Sequence, residues 1–255
     1  AVLCGDDEQI QSILPRVSRP FVTYGLREGV DVRAIGLERD RTGSRFSVAL
    51  PGRASALPVM LNIPGTHNVR NALAAIAVAS ELGLADAAIC RALANFQGIE
   101  RRMQHIGEVS VDGGTVSIVD DYGHHPTEIA ATLEALRQAW PARRLLLVFQ
   151  PHRYTRTRDL LDDFANVLAG VDVLLVTEVY AAGEAPIKGA DGRAICRAVR
   201  SRGKVEPIFV DKVEDIAGAL RNVLRAGDVV VTMGAGHIGA IAHELPARLS
   251  GGGGA

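Results

Sequence analysis

Through Leu50 the apolar positions come in short runs broken by polar turns: VLC running into Gly5-Asp6-Asp7, then FVTYGL, DVRAIGLE and RFSVAL, with Asp40 to Ser44 as a hairpin tip. Runs of this length bounded by turn residues predict strands. The rhythm then becomes helical. Leu73, Ile76, Ala79 and Leu82 fall on one stripe with Gly83 at the stop, which predicts a helix from Asn68 to about Gly83. A second helix is predicted over Asp86 to Asn95. After Arg101 the segment QHIGEVSVDGGTVSIVDD reads as a hairpin with Asp112-Gly113-Gly114 at its tip, and strict alternation of strand and helix follows. The strands are RRLLLVF, VDVLLVT, KVEPIFV and DVVVTM; the helices are expected to start near Pro126, Thr157, Asp191, Asp211 and Gly236. Asp211 with Glu214 resembles a capping box. Four apolar strands interleaved with helices predict an α/β fold with a mostly parallel sheet covered on both faces, in which ligands bind beyond the carboxyl ends of the strands. Function is therefore expected in the strand-to-helix loops. The closing Gly-Gly-Gly-Gly-Ala predicts a flexible tail over about 250–255.

Composition narrows the classes. At 255 residues and 47% hydrophobic content the chain can fill one large core or two ordinary ones. With 28 basic and 29 acidic residues the net charge is -1, so no global field favours nucleic acid or an anionic membrane surface, and an anionic ligand must be held locally. Lys188, Lys204 and Lys212 are the only lysines, which leaves the cationic work to arginine. Cys4, Cys90 and Cys196 stand far apart in no ligand spacing, arguing against a disulfide framework and for a reducing, cytoplasmic setting. No run approaches the length of a membrane span and no targeting signal is present. The sequence is expected to open inside a domain, with further residues upstream of Ala1.

Four loops carry polar clusters. In the first, Asp120, Asp121, His124 and His125 crowd around Tyr122-Gly123, ahead of a helix whose first position is Pro126. A metal site is one reading, disfavoured because adjacent side chains diverge and no second cluster has ligand spacing. A capping aspartate and a space-filling histidine are the bland alternative for any one residue, less so for all four. The second loop, QPHRYTRTRD, lies at the same sheet edge. Arg153 and Arg156, on a helix starting there, would share one face as a fork for a carboxylate; a solvated helix start is the alternative. In the third, NIPGTHNVRNALAAIA, Gly65 permits a tight turn. Asn68 alone reads as an N-cap, but with His67 and Asn71 beside it, contact with a nucleotide base is the better reading. The fourth, GAGHIG from Gly234 to Gly239, matches GxGxxG, yet the chain is too short beyond Gly239 for a second strand and its acidic residue. Its glycines read as close helix-to-sheet packing at the last strand, with a phosphate or sugar contact as the lesser alternative. No GxxxxGK[ST] occurs, since Val205 follows the sole Gly203-Lys204 pair.

Taken together, GTHNVRNALAA, GIERRMQ, DDYGHHPTEI, QPHRYTRT and EVYAAGEAPI resemble, in this order and from about Ala1 to Arg248, the Mur ligases of bacterial peptidoglycan synthesis, in particular the branch that uses L-alanine. The resemblance implies a three-domain enzyme. Residues 1–98 would be the later part of its central ATP-binding domain, and 99–255 a Rossmann-like carboxyl-terminal domain that brings the amino acid. The UDP-sugar domain, the P-loop and the magnesium-binding side chains would lie outside this chain. The implied reaction uses ATP and Mg2+ to activate the lactyl carboxylate of UDP-N-acetylmuramate as an acyl phosphate, then joins it to the amine of L-alanine. The loops suit that job: Arg153 with Arg156 would hold the carboxylate, His124 as the catalytic group and His152 would meet the amine, and Tyr122 would wall the methyl group. By resemblance, His67, Asn68 and Asn71 carry adenine contacts, and Arg102 and Asp121 ribose and phosphate contacts. Asp120 and His125 are left for packing and loop hydrogen bonds. Two rival classes are a nicotinamide oxidoreductase, resting on GAGHIG, and a non-catalytic nucleotide-binding fragment, resting on the missing P-loop. The chain alone is expected not to ligate.

Overall fold

The computed structural model describes residues 1–40 and 42–250. It divides into two compact units, Ala1–Gly98 and Ile99–Ala255, each built on its own sheet. Arg41 of the predicted hairpin tip and residues 251–255 of the predicted tail lie outside the described residues.

In the first unit β1 (Val2–Cys4), β2 (Val22–Gly25), β3 (Val32–Arg39), β4 (Ser44–Ala49) and β5 (Leu57–Leu61) lie side by side in chain order. β1, β2 and β3 pair in parallel, and β3, β4 and β5 form an antiparallel meander. Alternation decides which side chains go inward: Phe46 and Val48 of β4 and Leu57, Val59 and Leu61 of β5 are buried. β5 is an addition to the predicted strands. Its Pro58 weakens the signal, and it is tolerated because β5 is an edge strand. The short α1 (Glu8–Ile13) is capped by Asp7, which accepts the Ile10 N–H at 2.8 Å. α2 (Thr66–Glu81) and α3 (Asp86–Asn95) close the core with Val69, Leu73, Ile76 and Ile89. α3 has its predicted span. α2 starts two residues earlier than expected, because Gly65, at φ 101°, turns the chain sharply enough for Thr66 to be helical. Leu82, expected on the buried stripe, lies past the helix end and is 73% exposed.

The second unit holds β6 (Gln104–Val111), β7 (Gly114–Asp121), β8 (Leu145–Phe149), β9 (Val173–Thr177), β10 (Ile208–Val210) and β11 (Val229–Met233), in the order β10-β9-β8-β11-β7-β6. All neighbours are parallel except the β6–β7 hairpin. Every residue of β8 and β11 is buried, as a sheet covered on both faces requires. On one face Leu145, Leu147 and Phe149 meet Leu136 of α4 (Pro126–Ala139), Phe164 of α6 (Leu161–Leu168) and Ile195 of α7 (Gly192–Arg200). On the other, Leu146 and Val148 meet Leu220 of α8 (Ile216–Arg221) and Leu245 of α9 (Ile238–Ser250). Each fully buried Leu or Phe contributes about 1.5–3 kcal/mol.

Two helix starts differ from expectation. The helix expected near Thr157 begins at Tyr154 as α5 (Tyr154–Asp159), breaks at Leu160 (φ -117°, ψ 23°) and resumes as α6. The capping box expected at Asp211 and Glu214 does not form: a 3-10 turn over Val213–Asp215 without a side-chain cap leads into α8, and Asp211 lies 3.5 Å from Arg193 instead. The hairpin and the Pro126 start of α4 stand as read. Parallel pairing brings the carboxyl ends of β7, β11, β8 and β9 to one edge of the sheet.

Candidate functional site

The loop after β7 is organised by three carboxylates. Asp120, fully buried, accepts hydrogen bonds from Arg101 Nε at 2.8 Å and Thr232 Oγ1 at 2.6 Å, and Arg101 Nη2 also donates to the Gly234 carbonyl at 2.5 Å. This anchor ties β7, β11 and the segment before β6 together. Asp121, expected to face a nucleotide, is 2% exposed and accepts the main-chain N–H groups of Met103 and Gly123 at 2.9 and 2.8 Å. Burial pushes its carboxyl above the ordinary range, against the pull of those donors and of Arg102. The carboxylate is committed to the loop's main chain. Glu128, from α4, accepts the N–H groups of His124 and His125 at 3.0 and 3.1 Å. Burial raises its carboxyl, but these donors and the charges of His124 and Arg102 outweigh it and hold the group below the usual range. His125 caps α4, its Nδ1 accepting the Thr127 N–H at 3.3 Å, so Asp120 and His125 serve the structural roles expected of them.

His124 is different. Its Nδ1 lies 3.1 Å from the Tyr122 carbonyl and 3.4 Å from a Glu128 carboxylate oxygen. Both are acceptors, so Nδ1 carries a proton, and Nε2 is the nitrogen with the lone pair whenever the ring is neutral.

β8 and β9 stay paired beyond their strands. His152 and Tyr180 form a parallel bridge, with Tyr180 N donating to Pro151 O at 2.8 Å and Arg153 N to Tyr180 O at 2.9 Å. Extended geometry therefore reaches His152, and Arg153, at φ 74°, takes the whole turn into α5. This corrects the expected fork. Arg153 precedes the helix and Arg156 lies in its first turn, so they share no helical face. Arg156 Nη1 folds back to within 3.0 Å of the His152 carbonyl and 3.3 Å of His152 Nδ1, while Arg153 Nη1 lies 3.5 Å from Glu184 Oε1. Arg156 thus touches His152 directly, and the Arg153 guanidinium is near enough for its charge to act on the same ring. Burial, and then the charges of His124, Arg156 and Arg153, push the His152 imidazole below its ordinary pKa, so it is neutral at pH 7.

Rings link these loops into one row. Tyr122 meets His124 edge-on at 5.4 Å, His124 lies 5.5 Å from His152, His152 stacks on Tyr180 at 5.4 Å and 18°, and Tyr180 meets His237 edge-on at 4.7 Å. Arg101 and Arg102 sit 5.0 and 5.9 Å from the Tyr122 ring centre. Tyr180 and His237 belong to this row without having been singled out by spacing. GAGHIG closes it from β11: a Cβ on Gly236 would stand 2.7 Å from Tyr180 and 2.5 Å from Gln150 Oε1, and one on Gly239 2.4 Å from Arg101. These glycines do serve close packing, but against side chains of neighbouring loops rather than between helix and sheet. Buried Gln150 accepts the Ile238 N–H at 3.1 Å and so fixes the start of α9.

The remaining candidates lie on the first unit. At the start of α2, Asn68 donates from Nδ2 to the Pro64 carbonyl at 2.7 Å, and the N-cap is Gly65, not Asn68. His67 is half-buried and Asn71 exposed. A concavity of about 780 Å³ lies elsewhere, at β10 and α8; acids, arginines and apolar groups line it, with no imidazole, thiol or hydroxyl. Chemistry therefore points to the row of rings. Among the described residues no group of three His, Cys, Asp or Glu side chains is arranged to hold a metal ion.

A doubly covered, mostly parallel sheet with imidazoles and guanidinium groups gathered at its strand tips defines a Rossmann-like α/β protein built to hold a small ligand at the carboxyl edge. Comparison with known proteins narrows the class. Residues 101–236 match the domain described as Mur ligase, glutamate ligase domain, and residues 1–79 match the Mur ligase middle domain. The chain belongs to the Mur ligase family. It is 58% identical over 249 residues to the UDP-N-acetylmuramate–L-alanine ligase of Methylococcus capsulatus, a match covering 98% of this chain and 52% of that protein. The crystal structure of UDP-N-acetylmuramate-alanine ligase from Thermotoga maritima superposes with a TM-score of 0.72 at 29% identity, covering 89% of this chain and 47% of the other. That of a murein peptide ligase from Psychrobacter arcticus gives 0.73 at 25%, covering 98% and 51%. The chain spans about half the length of the curated relatives it matches.

Proposed function

We propose that this chain is part of an ATP-dependent ligase that joins L-alanine to the lactyl carboxylate of UDP-N-acetylmuramate through an acyl phosphate, in the cytoplasmic stage of peptidoglycan synthesis. The observation that carries the reading is the strand-tip row in which the rings of His124 and His152 lie 5.5 Å apart, with Arg156 bonded to His152 and the charge of Arg153 acting on it. An amino acid reaches such a site as a zwitterion. Its carboxylate pairs with Arg156 and Arg153, and its ammonium must lose a proton before it can attack. His124 Nε2 holds the lone pair that takes that proton. The free amine then attacks the acyl phosphate carbonyl: a C–N bond forms, the C–O bond to phosphate breaks, and inorganic phosphate leaves with the second proton that the nitrogen gives up. Neutral His152 beside the guanidinium groups adds no charge to repel the ammonium. Tyr122 walls the methyl group, and steric exclusion discriminates better against larger side chains than against glycine, where one methyl is worth about 1–3 kcal/mol.

On the first unit, the exposed Asn71, Asn68 through its Oδ1, and His67 are proposed to contact adenine. On the second, half-exposed Arg102 is proposed for ribose or phosphate, with Asp121 acting by holding the loop that carries Tyr122. Mg2+ is proposed to accompany the ATP and to be held mostly by side chains outside this chain, since among the described residues no group of three His, Cys, Asp or Glu is arranged to hold a metal ion. Identity of 56–58% to three proteins named UDP-N-acetylmuramate–L-alanine ligase supports the alanine branch. The nicotinamide alternative is disfavoured because Tyr180, Gln150 and Arg101 fill the space beside the glycines that a pyrophosphate would need. Among the described residues no helix is long and apolar enough to cross a membrane.

The test is ligation. A longer polypeptide joining this sequence to the amino-terminal half of its relatives should make UDP-N-acetylmuramoyl-L-alanine from ATP, and the 255-residue chain alone should make none. Product from the short chain, or none from the long one, would contradict the proposal.

A further inference from the structure

The loop between β9 and α7 holds a carboxylate with no part in the chemistry above. Its backbone is bent to present that group: Ala182 and Gly183 take φ values of 50° and 86°, and Glu184 N closes the turn onto Ala181 O at 3.0 Å. An alanine in that region of backbone space is held there by its surroundings. The turn points Glu184 at the start of α5. There one oxygen accepts Thr155 Oγ1–H at 2.6 Å, the other accepts Thr155 N–H at 3.0 Å, and Arg153 Nη1 lies 3.5 Å away. The Glu184 side chain is 18% exposed and that of Arg153 48%. Thr155 and Tyr180 thus fix the two ends of the arrangement, Thr155 through the carboxylate and Tyr180 through the Arg153 N–H.

We propose that Glu184 is a positioning residue for the amino-acid carboxylate: anchored by Thr155, it holds the Arg153 guanidinium at the strand tips and so sets the affinity for the amino acid. The alternative, that Glu184 competes with the substrate for Arg153, fits the geometry less well. Glu184 makes its two short hydrogen bonds to Thr155 and offers Arg153 only a longer contact, which leaves most of the five guanidinium N–H donors for a second carboxylate. An arginine on a flexible stem gains affinity when its rotamers are restricted before the ligand arrives. The donors from Thr155 hold the Glu184 carboxyl below the usual range, so it stays charged through the neutral pH region.

This inference rests on the amino-acid reading of the site, and the experiment separates the two. In the longer ligase carrying this sequence, Glu184→Gln should raise the KM for L-alanine roughly tenfold, move turnover at saturating alanine less than twofold and leave the KM for ATP in place. Thr155→Val, which removes the hydroxyl anchor, should shift the same constant in the same direction. Combined with Arg153→Ala, Glu184→Gln should add nothing further, because both act through one guanidinium. An unchanged or lowered alanine KM in Glu184→Gln, while Arg153→Ala still raises it, would overturn the positioning role alone. Loss of every parameter together in both Glu184→Gln and Thr155→Val would reduce Glu184 to a structural residue and overturn the role as well. If Arg153→Ala leaves the alanine KM untouched, the amino-acid reading itself falls.

Discussion

Arg101 and Asp120 form an unequal pair, and the inequality can be measured. Asp120 is fully buried with Thr232 as its other partner, whereas the Arg101 side chain keeps 22% of its exposure and a second acceptor in Gly234 O. Removing the arginine strands a buried charge; replacing the acid by an amide does not. Arg101→Met should therefore cost about 3–5 kcal/mol, and Asp120→Asn less than half of that. Trp140, the single tryptophan, lies in the second unit, so urea unfolding followed by its fluorescence reads the relevant transition. Equal costs would show that Asp120 is not the buried partner. His152 offers a second measurement at this scale. Its pKa in the folded chain is below the ordinary value of about 6.5, so between those two values the unfolded chain binds more protons, and stability falls as pH falls through that window. Proton NMR of the ring should show titration below that of an exposed histidine, and Arg156→Ala should move it upward. A titration at or above the ordinary value would contradict the placement.

At the scale of elements, the β11–α9 loop is the tightest joint of the site. A Cβ at Gly236 would meet the Tyr180 ring and Gln150 Oε1, so Gly236→Ala should destabilise the second unit by about 1–3 kcal/mol and displace the ring that stacks on His152. A neutral Gly236→Ala in urea unfolding would show that the contact is slack. Elements fixed by local sequence were readable: the β6–β7 hairpin with Gly113 at its tip, the Pro126 start of α4 and the span of α3. Those decided by distant partners were not. The bridge between His152 and Tyr180 forces the turn at Arg153 and so the early start of α5, and nothing near residue 153 announces a strand contact with residue 180. Tyr180 and His237 stood inside quoted segments, yet their membership in the row comes from strand order, which joins loops far apart in the chain. Glu184 was hidden for the same reason.

For the molecule as a whole, the family could be read from motif order, and three of those segments, DDYGHHPTEI, QPHRYTRT and EVYAAGEAPI, fall on the strand-to-helix loops where a parallel sheet gathers its chemistry. The fine geometry could not, since two arginines three residues apart become a fork only if both are helical. In the folded chain Arg156 bends back to His152 while Arg153, ahead of the helix, meets Glu184. The central claim is that this strand-tip cluster holds the amino-acid substrate. Steady-state kinetics of Arg153→Ala in the longer ligase carrying this sequence test it most directly. The account predicts a rise of roughly tenfold or more in the KM for L-alanine with the KM for ATP changed far less, and both constants left at their wild-type values would contradict it.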